Sequence, residues 1–282
     1  MRTLTPALQT LLSTADHFYR ADLYTITLID GTVIRTTDAD RALVWDGSTF
    51  DSCTPPIRRA RVRRSLGVSV DNLRLDVSPS TTTIGGRTWA AAARVGAFDG
   101  AQITVTAAYL SEWPTIVGVL SIFTGFVSTV EPSSAGLSIS VKSALEAFRR
   151  PVPRNVYQTT CANVLYDNSC GVSRAAQTRT GTITAASTVL QLFTSITAPD
   201  TFLALGSITF TSGANVGQTR TIRSQVGGTI RLLDPLLSVP AIGDTFSALA
   251  GCDRALSTCR AKFNNAARFR GFPFVPVPET TF

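Results

Sequence analysis

The sequence has 282 residues, 44% of them hydrophobic and 16% charged, with 26 Lys and Arg against 19 Asp and Glu for a formal charge of +7. That composition excludes a mainly disordered chain, and the length suits about two domains at roughly 100–200 residues each. The longest apolar stretch, Pro114 to Val127, is interrupted by Gly and Ser and is shorter than the roughly 18–20 residues a membrane helix requires, so no membrane helix is expected.

The start, MRTLTPALQTLLSTADHFYR, has no apolar core closed by a cleavage site, and a secretory signal is not expected. Ala15 to Arg20 reads as the end of an N-terminal helix running into a strand, with a capping or packing role for His17. Residues 21–41 alternate apolar and polar on both sides of Asp30-Gly31, and residues 41–50 do so around Asp46-Gly47; Asp-Gly between alternating runs predicts two hairpins. Strands are expected at Gly67 to Val77, Ala101 to Leu110, Thr115 to Val130 and Leu137 to Val141, then a short helix at Ser143 to Arg149. Pro151 and Pro153 stop that helix, placing a domain junction near 150 and domains over 1–150 and 151–282.

Beyond the junction, Thr178 to Leu249 is rich in Thr, Val, Ile and Gly with frequent turn signals. Strands at Gly181 to Thr184, Gly206 to Phe210, Gln218 to Ser224, Thr229 to Leu233 and Gly243 to Leu249 predict a small β-barrel or sandwich inserted at about 178–250. The terminal GFPFVPVPETTF, with Pro273, Pro276 and Pro278, is expected to run extended.

Enzyme signatures are absent: there is no Walker A loop, dinucleotide fingerprint or H-E-x-x-H helix, and a single histidine excludes a multi-histidine proton relay. The closest carboxylates, Asp38 and Asp40, read as turn-formers bonded to their own backbone. No enzyme is expected. Of the 26 basic residues, 24 are arginine, densest at Arg58, Arg59, Arg61, Arg63 and Arg64. Arginine suits interfacial ion pairs, so this run reads as a solvated or subunit-facing strand. Nucleic-acid contact through it is the weaker reading, because no DNA or RNA module accompanies it.

Four of the five cysteines flank the β-module, as Cys161-x8-Cys170 before it and Cys252-x6-Cys259 after it; Cys53 stands apart. The pairs converge if the module's ends lie together. Gly171 and Gly251 adjoin them, where glycine allows close backbone approach and N–H groups aimed at sulfur. Disulfides suit an oxidising compartment. Structural zinc favours tighter C-x2-C to C-x4-C knuckles. A four-iron cluster can take one thiolate per iron from longer loops, with Arg254, Arg260, Lys262, Arg268 and Arg270 near in sequence to offset its charge. Ordinary buried cysteines remain a further alternative.

The stretch GCDRALSTCRAKFNNAARFRGFPFVP resembles the signature of the BR0599-type tail proteins of phages and prophages, a family that includes the hub protein of gene transfer agents. YQTTCANVLYDNSCGV and the hairpin LYTITLIDGTVIRTTDADRALVWDGSTFDS, followed by SVDNLRLDV, also fit, so the resemblance covers most of the chain. More distantly, it is similar to the tail-tip protein L of lambda-type siphophages, whose C-terminal domain holds a [4Fe–4S] cluster on four cysteines in the same x8 and x6 arrangement. The resemblance implies Cys161, Cys170, Cys252 and Cys259 as cluster ligands and gives Cys53 no counterpart. It also implies a mainly β fold with few short helices: an N-terminal β-barrel tail-hub domain, then an iron–sulfur domain carrying an inserted small β-barrel.

The implied function is that of a structural protein in the distal tail-tip ring of a virion, assembled in the host bacterial cytoplasm. The implied partners are two further copies in a homotrimer, the distal tail protein, and the central hub or fibre protein, with no small-molecule substrate. The alternative is a four-cysteine zinc-stapled module for nucleic-acid binding or assembly. An iron–sulfur enzyme is disfavoured, because four cysteines leave none of four irons open to substrate.

Overall fold

The computed structural model describes residues 4–62, 70–133, 136–149, 152 and 156–274, and the chain divides into two units, Met1–Arg150 and Pro151–Phe282. In the first unit the Thr5 hydroxyl accepts the Leu8 N–H at 3.4 Å and Pro6 opens helix α1 (Pro6–Thr14). Leu8 is buried against Gly118, where a Cβ would come within 2.9 Å of the leucine. The helix ends at Thr14 with Ala15 as its C-cap and a strand begins at Tyr19, so Ala15 to Arg20 carries the chain from helix into strand as expected. His17 lies exposed in it, edge-on to Tyr19 at 6.5 Å, and caps nothing.

The strands that follow are β1 (Tyr19–Thr27), β2 (Val33–Thr37), β3 (Leu43–Trp45), β4 (Ser48–Ser52), β5 (Ile57–Arg59), β6 (Asn72–Val77), β7 (Thr83–Ile84) and β8 (Arg87–Thr88). Helix α2 (Trp89–Arg94), capped by the Thr88 hydroxyl, precedes β9 (Gln102–Glu112), β10 (Thr115–Ser133) and β11 (Gly136–Lys142). Both Asp-Gly hairpins form. Asp46 and Gly47 have φ of 50° and 69°, the paired positive values a two-residue type I′ turn requires. At the other turn the Asp30 carboxylate accepts the Thr32 N–H at 2.8 Å.

Nine strands form one sheet in the order β3-β4-β2-β1-β9-β10-β11-β6-β5, antiparallel except for β2 beside β4. Tyr24 and Ile26 of β1 share a core with Ile57 of β5, Leu73 and Leu75 of β6, Ile103 of β9 and Ile139 of β11. Asp22 of β1 is ion-paired to Arg59 of β5, so the sheet curls until strands far apart in the order touch. Among the described residues β3 and β5 do not pair, which leaves the expected barrel open along that seam. The arginine run therefore turns partly inward: Arg59 is half-buried, Arg58 and Arg61 are exposed, and Arg63 and Arg64 lie outside the described residues. The strand expected from Gly67 begins only at Asn72, with 63–69 likewise outside. The helix expected at Ser143 to Arg149 is a 3-10 turn, Ala144–Arg149. Pro151, Pro153, Pro276 and Pro278 fall outside the described residues.

In the second unit a 3-10 turn (Ala175–Gln177) leads into β12 (Thr178–Thr182), β13 (Gln191–Phe193), β14 (Ser207–Phe210), β15 (Thr219–Val226), β16 (Thr229–Leu232) and β17 (Thr245–Leu249). The order is β12-β17-β14-β15-β16-β13, antiparallel throughout, and an Ile183–Thr194 bridge joins the two outer strands. The inserted module is thus a small barrel closed by one bridge, filled by Leu192, Leu203, Ile208, Phe210, Ile222, Ile230 and Phe246. Its first and last strands pair with Thr178 opposite Leu249, so the chain enters and leaves side by side. Helix α3 (Leu256–Ala261) and a 3-10 turn (Ala266–Arg268) follow.

Candidate metal centre

Because the module's ends are neighbours, the segments before and after it meet. Cys161 donates its N–H to the Arg254 carbonyl at 2.9 Å, and the Tyr166 hydroxyl donates to Ala250 at 2.6 Å. The stretch from Arg270 to Phe272 lies along 158–162, with Ala162 donating to the Arg270 carbonyl at 3.0 Å and Phe272 to that of Gln158 at 2.8 Å.

Each cysteine loop is shaped by an aspartate. The Asp167 carboxylate accepts the N–H groups of Cys170 at 2.5 Å and Val164 at 3.1 Å. That of Asp253 accepts the Ala255 N–H and the Thr258 hydroxyl, both at 2.9 Å, bracing the start of α3, which carries the buried Cys259. Gly171 adopts a φ of 68° with Arg268 packed on it. Gly251 lies against the Ala204 and Leu205 backbone, where a Cβ would meet carbonyl and backbone atoms at 2.1 Å. Both glycines thus serve close approach, but the backbone N–H groups reaching sulfur belong to other residues: Arg254 to Cys252 at 3.3 Å and Arg270 to Cys161 at 3.4 Å.

Cys161, Cys170, Cys252 and Cys259 line one cavity of about 210 Å³, together with Arg254, Asn265 and Arg268. Desolvation raises the Cys252 and Cys259 thiols above the ordinary value, and the charges of the neighbouring cysteines add to this. Ionising four sulfurs here calls for compensating charge, and Arg254 and Arg268 are at hand. Lys262 contributes as well: burial lowers its ammonium below the ordinary value, and the nearby Cys252 and Asp253 charges oppose that shift. Its ammonium donates to the carbonyls of Phe202 and Gly251 and lies 5.0 Å from the Phe202 ring, tying α3 to the module. Arg260 is exposed. Cys53, in the first unit, is placed by its sulfur near the Asp38 and Ala39 carbonyls and takes no part in the cavity.

Among the described residues, no three His, Cys, Asp or Glu side chains surround a single-ion position. One zinc would draw its sulfurs to about 2.3 Å each. Four cysteines lining one cavity are a donor set that a zinc ion or a four-metal cluster could take, with one sulfur per metal atom in the cluster. The spacing of the cysteines is visible in the sequence, whereas the donors from Arg254, Arg270 and Asn265 depend on the fold.

Residues 5–173 match the family described as baseplate hub protein, N-terminal attachment domain. Residues 201–279 match phage conserved hypothetical protein BR0599. Among solved structures the chain is similar to one from the virion of a native gene transfer agent particle, with a TM-score of 0.73 and 25% identity over 98% of this chain and 94% of that one. No curated protein matches.

Proposed function

This chain belongs to the family of baseplate hub proteins with the N-terminal attachment domain, and from that premise we propose that it is a ring subunit at the distal tip of a siphophage-type tail, stapled by a [4Fe–4S] cluster. It is a structural protein of the virion tail. In the proposed assembly three copies form the ring between the distal tail protein and the central hub or fibre protein.

The observation that carries the cluster reading is the gathering of Cys161, Cys170, Cys252 and Cys259 around one cavity, with backbone donors on two of the sulfurs. When bound, the cluster supplies metal–thiolate bonds that hold its ligand segments together. The protein's residues do the rest. Asp167 and Asp253 set the loops, the N–H groups offset sulfur charge, and Lys262, with Arg254 and Arg268 at the cavity wall, supplies positive charge. Metal-binding free energy becomes folding free energy for the segments around the barrel. The zinc-stapled alternative would use the same four cysteines, and iron, sulfide and zinc content separates it from the cluster.

Deleting the gene and restoring it as wild type or Cys259→Ser, with electron microscopy of the particles, tests the role. The expected result is tails with a complete tip only for the wild type. Normal tips and full infectivity with Cys259→Ser would remove the staple from the account.

A further inference from the structure

Asn265 lies where the two cysteine-bearing segments meet. Its backbone N–H donates to the Cys259 carbonyl at 3.0 Å, and its side-chain amide donates to the Cys170 carbonyl at 2.8 Å. The same Nδ2 is 3.8 Å from the Cys170 sulfur. A carbonyl only accepts, so the NH₂ end of the amide must face Cys170. The residue is itself held by the turn that follows, whose Arg268 N–H reaches the Asn265 carbonyl at 3.0 Å. One residue thus joins Cys170, before the module, to Cys259, after it.

The donors to Cys161 and Cys252 are backbone groups. Among the described residues, Asn265 is the one side chain that offers an N–H to a sulfur of this site. We infer that Asn265 is a positioning residue: it clasps Cys170 against the Cys259 helix and directs an N–H at the Cys170 sulfur, retaining the bound group and raising its reduction potential. The inference rests on the cluster reading above. The physical reason is that an N–H aimed at sulfur stabilises the extra negative charge of the reduced state. Outer contacts that orient a metal ligand typically change metal affinity about 10–100-fold.

The test uses the full chain purified without oxygen, as wild type, Asn265→Ala, Asn265→Leu and Asn265→Gln. Iron and sulfide are counted, iron release to a chelator is timed, and the midpoint potential is read from visible bleaching during dithionite titration. For Asn265→Ala we expect release faster by about tenfold or more, a more negative potential, and partial recovery of both in Asn265→Gln. A loaded wild type with potential and release unchanged in Asn265→Ala overturns the clasp and leaves the cluster reading standing, even if thermal stability falls. A wild type without iron and sulfide overturns the cluster reading and the clasp with it. Should Asn265→Ala fail to fold, Asn265→Leu, which keeps the size, removes the donor and adds no charge, is judged by the same criteria.

Discussion

Cys161 and Arg254 are joined by a backbone hydrogen bond of 2.9 Å, although the whole inserted barrel lies between them in the chain. The same arginine gives its own N–H to the Cys252 sulfur at 3.3 Å. The site is therefore assembled beside the barrel's paired end strands, by hydrogen bonds that run between the segments before and after it.

The barrel has its own buried core, while the cysteine segments consist of loops and one short helix. Serine at Cys161, Cys170, Cys252 or Cys259 should therefore release the bound group without unfolding the barrel. Hydrogen exchange should show protection kept over β12 to β17 and lost over 156–174 and 252–272. Equal loss across the whole second unit would contradict a local staple.

Gly251→Ala should damage the site without touching a cysteine. The added methyl would meet the Ala204 and Leu205 backbone, which cannot turn aside as a flexible side chain can. Overpacking of this kind costs about 1–3 kcal/mol. Denaturant unfolding of the variant, with iron content measured beside it, should show both losses; wild-type values would mean the backbone yields.

In the first unit, Asp22 is buried and shared between Arg59 and the more exposed Arg20. Arg59→Ala should destabilise this unit by about 3 kcal/mol, the lower end for breaking a buried pair, because Arg20 still faces the carboxylate. Adding Asp22→Asn should recover part of that loss. Additive single and double variants in denaturant titrations would show that the pair does not bind the seam between β1 and β5.

The Asp38 carboxylate accepts the Asp22 N–H at 2.7 Å in addition to bonding its own backbone. Desolvation, with the nearby Asp22 charge, holds its carboxyl above the ordinary range. A raised folded value means that ionising Asp38 weakens the fold: stability falls as pH rises through that value, and the penalty is absent below the unfolded value of about 3.9. Asp38→Asn keeps an acceptor and should raise the melting temperature at pH 7, with the gain shrinking towards pH 4. A gain that is constant with pH would assign the effect to something other than this charge.

Much of the fold was legible because local chemistry decided it. Asp46-Gly47 supplies the positive φ values of a tight hairpin, and the turn-punctuated stretch rich in Thr, Val, Ile and Gly after Thr178 predicts five of the module's six strands, all but β13. Helix α2 was missed: its run of four Ala is only about one turn long, and its signal, a Thr88 cap, is weak alone. The parallel β2–β4 pair and the Asp22–Arg59 contact depend on how the sheet curls, which no local pattern encodes. At the site, the x8 and x6 spacing pointed to a converging set of four cysteines. The roles of Asn265 and Tyr166, and the bonds of Lys262 to the module, were not legible, because each bonds to backbone carbonyls brought near only by folding.

The central claim is tested most directly by the iron and sulfide content and visible spectrum of the full chain purified without oxygen. The account predicts a broad visible absorption band and about four irons and four sulfides per chain, as a four-cysteine cubane site requires. A colourless protein carrying one zinc, or one with no metal and its cysteines paired as disulfides, would contradict it.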